Sequence, residues 1–349
     1  MARFSKLKNS KKGVSSSQKG ISSRKKGVSS WLPRKRGTVE LSLRNIIHLK
    51  TLIFMKTFIT TILMVAVIGT SLAQSIFIKA IGSYNIGVNS DYYYLWATQT
   101  IPSGDSLLVF SAHEAVKYSL GGGKTFGGSI GINLLKNLDF DLAFLFSKST
   151  VQDFHIKSDY KLGYGFNVQI NYNTSFEAQS TIISPTILYK KPVGNNFLYS
   201  RFGLLFADIS MKKSQNKDLY NNIPGYYPSE QTEIIEEFES ASSLGFTAGV
   251  GFEYCLSDHF YLMADVSYNY LKYVPNSSKY TKYEFMGLDE LEAKPVSEKE
   301  FEYVDKYDDT ENQDPDLPAK EVKVSYPFDN VSIQLGLKCI IADFSKKNK

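Results

Sequence analysis

Two runs of strict alternation, joined by a four-residue turn over residues 244–271, constrain this chain more than any other stretch. In the first run Leu244, Phe246, Ala248, Val250, Phe252 and Tyr254 share one face, and Gly245, Thr247, Gly249, Gly251 and Glu253 share the other. After Cys255-Leu256-Ser257-Asp258 the pattern resumes, with Phe260, Leu262, Ala264, Val266, Tyr268 and Tyr270 opposite Asp265, Ser267 and Asn269. A period of two is the period of a β-strand. A soluble sandwich would bury its apolar face and turn a water-loving face outward. Here the polar face is mostly small, which suits the crowded lumen of a narrow barrel, and the opposite face is aromatic and aliphatic throughout. Each run also has the roughly 9–11 residues that carry a tilted strand across a bilayer. The stretch predicts a transmembrane β-hairpin.

The same pattern recurs from Ser75 onward. Ile76, Ile78, Ala80, Tyr84 and Ile86 alternate with Lys79, Ser83 and Asn85. A strand over about 119–134 turns outward Phe126, Ile130 and Ile132 and turns inward Thr125, Gly127, Ser129 and Gly131. The next sets Phe140, Leu142, Phe144 and Phe146 against Asp139, Asp141 and Ala143. A fourth, about 175–190, is less regular because Pro185 cannot donate to a ladder, which predicts a bulge or irregularity. The fifth has Phe202, Leu204 and Phe206 outward with Arg201 and Gly203 inward. The last, about 328–344, places Ile333, Leu335, Leu337, Cys339 and Ile341 opposite Gln334, Gly336 and Lys338. Three short turns alternate with four long polar loops, about 89–117, 149–174, 210–240 and 274–327. The fold class expected is all-β: an eight-stranded antiparallel up-and-down transmembrane β-barrel with short periplasmic turns and long extracellular loops. Closure would remove the sheet edges that hydrocarbon does not tolerate.

The charge of +5 averages two unlike parts. Residues 1–54 hold 14 Lys or Arg and the single acid Glu40, whereas residues 57–349 carry 25 basic and 34 acidic side chains. The basic part contains a seven-residue repeat, Lys-Gly-Val-Ser-Ser or Lys-Gly-Ile-Ser-Ser, starting at Lys12, Lys19 and Lys26. One branched residue per repeat makes no coiled-coil seam. Met55-Lys56, the apolar run 59–70 and Ser71-Leu72-Ala73 then form a secretory signal with cleavage between Ala73 and Gln74. Three parts follow: 1–54 as a basic extension upstream of the true start, 55–73 as the signal peptide, and 74–349 as the barrel. Cys255 and Cys339 fall two strands apart, too far for a disulfide, and are expected to be free thiols.

Several stretches carry a family resemblance: Lys79-Ala80-Ile81-Gly82, Ser184-Pro185 with Tyr189, Arg201-Phe202-Gly203-Leu204, Gly249-Val250-Gly251-Phe252-Glu253-Tyr254 and Gln334-Leu335-Gly336-Leu337. Over about 74–344 the chain resembles the small eight-stranded outer-membrane barrels of the OmpA-transmembrane and OmpX-like type, within the outer membrane protein β-barrel group. The resemblance implies a cell outer membrane location, with outer-membrane lipid and the barrel-assembly machinery as partners. Such barrels end on an aromatic residue; here Ser345-Lys346-Lys347-Asn348-Lys349 follows Phe344.

The inward charges Lys79, Asp139, Asp141, Arg201, Glu253, Asp265 and Lys338 are the candidate site residues. Their near balance of sign predicts a salt-bridged plug, with Arg201 and Glu253 tested as a coupled pair; a proton path or ion pore is the competing reading. No metal-ligand spacing, phosphate loop or nucleic-acid module is present, so no cofactor, metal or nucleic-acid partner is expected. The only nucleophile-base cluster is Ser111 with His113-Glu114, at a loop edge, and no catalytic residue is assigned. The expected role is a structural or interaction barrel that presents its loops to an extracellular or envelope protein. A component of an export machine or a narrow passive pore is the alternative, and a lipid-modifying barrel enzyme the third reading. The loop 274–327 stands out, with 14 Asp or Glu against 7 Lys and several Tyr and Phe suited to an interface.

Overall fold

The computed structural model describes residues 75–88, 91–103, 106–161, 167–222, 229–306 and 314–344. The basic extension, the signal segment and the Ala73/Gln74 junction lie outside the described residues, as do residues 307–313 and 345–349. In chain order the strands are β1 (Ser75–Gly87), β2 (Asp91–Ser103), β3 (Ser106–Tyr118), β4 (Gly123–Leu135), β5 (Leu138–Ser149) and β6 (Gln152–Lys161). Next come β7 (Asn167–Val193), β8 (Asn196–Asn221), β9 (Ser229–Cys255), β10 (Phe260–Tyr270), β11 (Lys272–Tyr273) and β12 (Ser277–Phe285). The last are β13 (Leu288–Asp289), β14 (Glu300–Val304), β15 (Ala319–Val322), β16 (Tyr326–Pro327) and β17 (Asn330–Asp343). A single helical turn, α1 (Val296–Lys299), precedes β14. Among the described residues no helix is long and apolar enough to cross a membrane.

Thirteen of these strands form one sheet, antiparallel except where β15 runs parallel to β14. Within it β10, β17, β1, β4, β5, β7, β8 and β9 pair in that order, and β9 also pairs with β10. The ladder then continues past this set through β12, β14 and β15, with β6 on β7 and β13 on β12. The simple eight-stranded closed barrel expected from the sequence is thereby corrected. The segments expected to be long loops are themselves largely strand: 89–117 is largely the β2–β3 hairpin, 149–174 holds β6 and the start of β7, 210–240 the far ends of β8 and β9, and 274–327 holds β12 to β16.

The physical reason is an inversion of hydropathy along single strands. β7 keeps one parity inward over its 27 residues. Near its start the inward side chains are Val168, Ile170, Phe176 and Ala178, all buried, while Gln169, Asn171, Asn173 and Gln179 face out. Further along, the buried members of the same parity are Ser184, Thr186 and Lys190, with Leu188 the one apolar side chain among them, while Ile187 and Tyr189 stand exposed. β8 repeats the change: Asp208, Ser210 and Lys212 are exposed beyond it, and Phe202 and Leu204 before it. On β9 it falls between the exposed polar Ser242 and the exposed apolar Leu244. An apolar interior with a polar exterior is the arrangement in water, and the reverse is the arrangement in lipid. The rule that apolar means outward thus ends β7, β8 and β9 at the bilayer, although their ladder runs on. The part of β7 beyond the inversion, about a dozen residues, amounts to about 40 Å of strand at 3.3 Å per residue.

The irregularity expected at Pro185 takes an unexpected form. The β5–β7 register is continuous through Leu142 opposite Pro185. The β7–β8 ladder lacks pairs at Ser184 and Pro185 and resumes in the same register from Thr186 opposite Gly203, so the ladder is interrupted and not bulged. Cys255 and Cys339 are free, with β10 between them.

Candidate functional site: the ring interior and its cover

Three layers fill the ring. The first lies near the short turns that join β4 to β5, β7 to β8 and β9 to β10. Lys79 Nζ donates to Asp141 Oδ2 at 2.7 Å. Lys190 Nζ bridges two carboxylates, pairing with Asp139 and lying 2.7 Å from Glu253 Oε2. Lys338 faces the same two acids, 3.3 Å from Asp139 Oδ2 and 3.4 Å from Glu253 Oε2. Phe77, fully buried, sits among these ammonium groups, with Lys338 Nζ 4.0 Å and Lys79 Nζ 5.0 Å from its ring centroid. An ammonium over an aromatic face is attracted by the ring quadrupole. Gly131 makes the room, since a Cβ there would run into the Phe77 ring.

One step further in, Arg201 Nη2 lies 3.5 Å from Asp265 Oδ1 and donates to Ser267 Oγ at 2.7 Å, while Tyr199 donates to Asp265 Oδ2 at 2.9 Å. Arg201 and Glu253, considered together from sequence, belong to separate subclusters: Glu253 takes Lys190 and Lys338. All seven sequence-named charges are therefore in or beside this layer. Lys190, Phe77 and Tyr199 were missed. With Lys190 the layer holds four cations (Lys79, Lys190, Arg201, Lys338) and four carboxylates (Asp139, Asp141, Glu253, Asp265). Parity was the available signal, because Lys190 is in phase with Ser184 and Thr186, and Phe77 with Lys79.

The second layer is a small polar cavity of about 70 Å³ bounded by Asn85, Thr125, Asp141, Ser184, Arg201, Thr247 and Gln334 among others. At roughly 10–15 Å³ of such volume per water it has room for a few waters and no more.

The third layer is apolar. Leu120, Phe176, Ile209, Met211, Phe238, Leu271, Tyr273, Tyr303, Tyr326 and Phe328 form one buried cluster across the far side of the cavity. Tyr326 is surrounded by Phe176, Phe238 and Tyr273 at centroid distances of 6.2, 5.7 and 6.1 Å. The backbone that carries it is tied down, with Leu120 N donating to Pro327 O and Phe328 N to Leu271 O. Gly121 permits this approach, because a Cβ there would lie 2.6 Å from the Phe328 carbonyl carbon. The Gly121-Gly122-Gly123 run is thus a packing and turn element.

Outside, the ring strands carry an exposed apolar belt that includes Ile78, Tyr84, Phe126, Ile130, Phe202, Val250, Leu262 and Leu335. A water-soluble chain does not display so wide an apolar surface. Residues 62–288 match the family described as the outer membrane protein beta-barrel domain. The chain belongs to that family. It is an outer-membrane β-barrel protein, and the exposed belt is its lipid-facing surface. The match reaches the domain family and not the OmpA-transmembrane or OmpX-like type. No curated protein matches the chain. Among solved structures, the outer membrane protease OmpT from Escherichia coli is similar at 8% identity over 77% of this chain and 97% of that one, with a TM-score of 0.21. An overlap that slight carries no argument about activity. Ser111, His113 and Glu114 lie along β3, and among the described residues no group of His, Cys, Asp or Glu is placed to hold a metal.

Proposed function

We propose that this outer-membrane barrel protein presents an ordered β-sheet surface to a partner protein outside the bilayer, and that its membrane part is a closed support. The observation that carries the reading is strand length: β7, β8 and β9 run 27, 26 and 27 residues, where about 10 suffice to cross. The surplus is paired within the sheet, with β6 on β7 and with β12, β14 and β15 continuing it from β9. In this reading the short turns and both chain ends face the periplasm, the barrel-assembly machinery inserts the chain, and the sheet extension faces outward. A passive pore is disfavoured by the buried ion pairs, the small cavity and the aromatic cluster stacked in series. No catalytic role is assigned.

The β11–β16 pair, Tyr273 opposite Tyr326, gives a natural base for the test. Residues 274–325 are excised and Tyr273 is joined to Tyr326 by a short glycine-rich turn. The shortened protein should insert and keep the compact gel migration of a folded barrel, yet lose the crosslinks that the full chain forms in intact cells. Neither version should pass steady current in planar bilayers. Steady current through the full chain, or unchanged crosslinks after excision, contradicts the reading.

A further inference from the structure

The exposed surface of the ring carries one arrangement that strand pairing alone disfavours. At the belt's edge away from the short turns, Tyr84 (β1), Lys124 (β4), Lys148 (β5), Gln179 (β7) and Ser210 (β8) stand in one cross-strand row. Lys124 and Lys148 are directly opposite each other, and both are exposed. Like charges so placed destabilise a strand pair. Beyond the belt the sheet does the reverse: Lys212 faces Glu177 on one side and Glu237 on the other, and Lys282 lies 2.8 Å from Glu233. Lys148 reaches diagonally to Glu177 at 2.7 Å, so it is neutralised in part. Lys124 has Tyr84 as its other neighbour, and among the described residues it makes no ion pair.

Depth says what the two ammonium groups meet. One row nearer the short turns Phe126 stands opposite Phe146, both exposed, with ring centroids 5.8 Å apart. The exposed side chains of Phe144 and Ile130 continue the belt from there. Gln179, opposite Lys148, lies on the polar side of the inversion on β7, and Ile183, opposite Phe144, lies on its apolar side. The lysine pair therefore sits at headgroup depth, where long basic stems lie along apolar surface and Tyr rings gather. Opposed Cβ atoms are about 4.5–5.5 Å apart, so both ammonium groups reach a single phosphate. A lipid that places its phosphate there runs its acyl chain over the Phe126–Phe146 pair, a contact that a water-soluble anion does not make. The patch is local: at the same level β8 and β9 show Asp208, Ser240 and Ser242, with Ser240 donating to Asp208.

We propose that Lys124 and Lys148, with Phe126 and Phe146 beneath them, form a site for one phosphorylated anionic lipid. The test places a single tryptophan beside the site by Phe126→Trp, or across the ring by Val250→Trp, in the full chain with Trp31→Phe and Trp96→Phe. Each protein is reconstituted in equimolar phosphatidic acid and phosphatidylcholine liposomes. One lipid or the other carries brominated acyl chains, so tryptophan quenching reads the local lipid. Phosphatidic acid should be enriched about fivefold or more at residue 126 relative to residue 250, the preference that one cation gives near an anionic lipid surface. Lys124→Gln with Lys148→Gln should abolish the enrichment, and Lys124→Arg with Lys148→Arg should keep it, with compact gel migration unchanged. Equal composition at the two positions, or enrichment that survives the glutamine variants, overturns the proposal. So does enrichment that inorganic phosphate removes and sodium chloride of equal ionic strength does not, since the site then takes a free anion. Should the glutamine pair fail to fold, the contrast between residues 126 and 250 still decides, together with Lys124→Gln alone, which should lose most of the enrichment.

Discussion

Replacing Lys190 by methionine isolates what burial does to an ion pair. Lys190 Nζ lies 2.7 Å from Glu253 with both side chains at most 3% exposed, and it also pairs with Asp139. Lys148 lies the same 2.7 Å from Glu177, but the two side chains are 63% and 33% exposed. The Lys–Glu distance is matched, so the difference between the two substitutions reports burial together with the second carboxylate, Asp139, that Lys190 also holds. Removing Lys190 leaves Asp139 and Glu253 with Lys338 as their remaining common cation, and the layer one positive charge short. A buried pair that loses one partner costs about 3–5 kcal/mol, because the abandoned charge stays desolvated. An exposed pair is worth about 0–1 kcal/mol. Lys190→Met should therefore destabilise the barrel by at least about 2 kcal/mol more than Lys148→Met. Adding Asp139→Asn should restore part of the loss, since the two sites share one network. Urea titration of the protein in detergent, followed by loss of compact gel migration and extrapolated to zero urea, gives the values. Equal midpoints for the two lysine variants would refute the reasoning.

The Arg201 pairing gives a cycle with a defined partner: Arg201→Ala should lose about 3–5 kcal/mol in the same assay, and Asp265→Asn should recover part of it whereas Glu253→Gln should not. The bilayer boundary predicts a depth contrast, with Val250→Arg costing about 2–4 kcal/mol and Ser242→Arg, two residues beyond the apolar belt on the same face of β9, costing about 0–1 kcal/mol. Burial, with Glu236 nearby and Lys213 only partly offsetting it, pushes the Tyr280 phenol up to about 12. The neutral phenol is thus favoured in the folded sheet, and the stability it contributes is lost as pH rises from about 10 toward 12, where the unfolded chain binds fewer protons. In absorbance titrations at the tyrosinate wavelength, Tyr280→Phe should remove a phenol ionising near 12 and leave the amplitude near 10 unchanged.

What was legible in the sequence, and what was not, divides along the inversion. The 244–271 hairpin and the ring strands stand out because their apolar face is the outer one for nine or more residues. Val168, Ile170, Phe176 and Ala178 alternate as cleanly with Gln169, Asn171, Asn173 and Ser175, yet their apolar face is inward. The Tyr, Asn and Lys content of that stretch suggested loop, although Phe154, Ile156 and Tyr160 against Asp153, His155 and Lys157 mark β6 by the same period. Lys190 escaped because Pro185 blurred the phase of its strand and Lys191-Pro192 marks a turn just beyond. The contact of Ser278 and Tyr303 with the buried Glu236 joins β12, β14 and β9 across 42 and 67 residues of chain, and no local pattern reports such a meeting.

The account's central claim is that single strands leave the bilayer and continue as sheet in water. Spin labels placed one at a time on the outward parity of β7, in a Cys255→Ser, Cys339→Ser background, measure this directly in liposomes. Relaxation by a water-soluble nickel complex should dominate at Gln169, Asn171, Asn173, Ser175 and Gln179. Relaxation by oxygen should dominate at Ile183, Ile187 and Tyr189, and the crossover should fall near Thr181. Oxygen dominance reaching Asn173, or nickel dominance reaching Ile187, would contradict it.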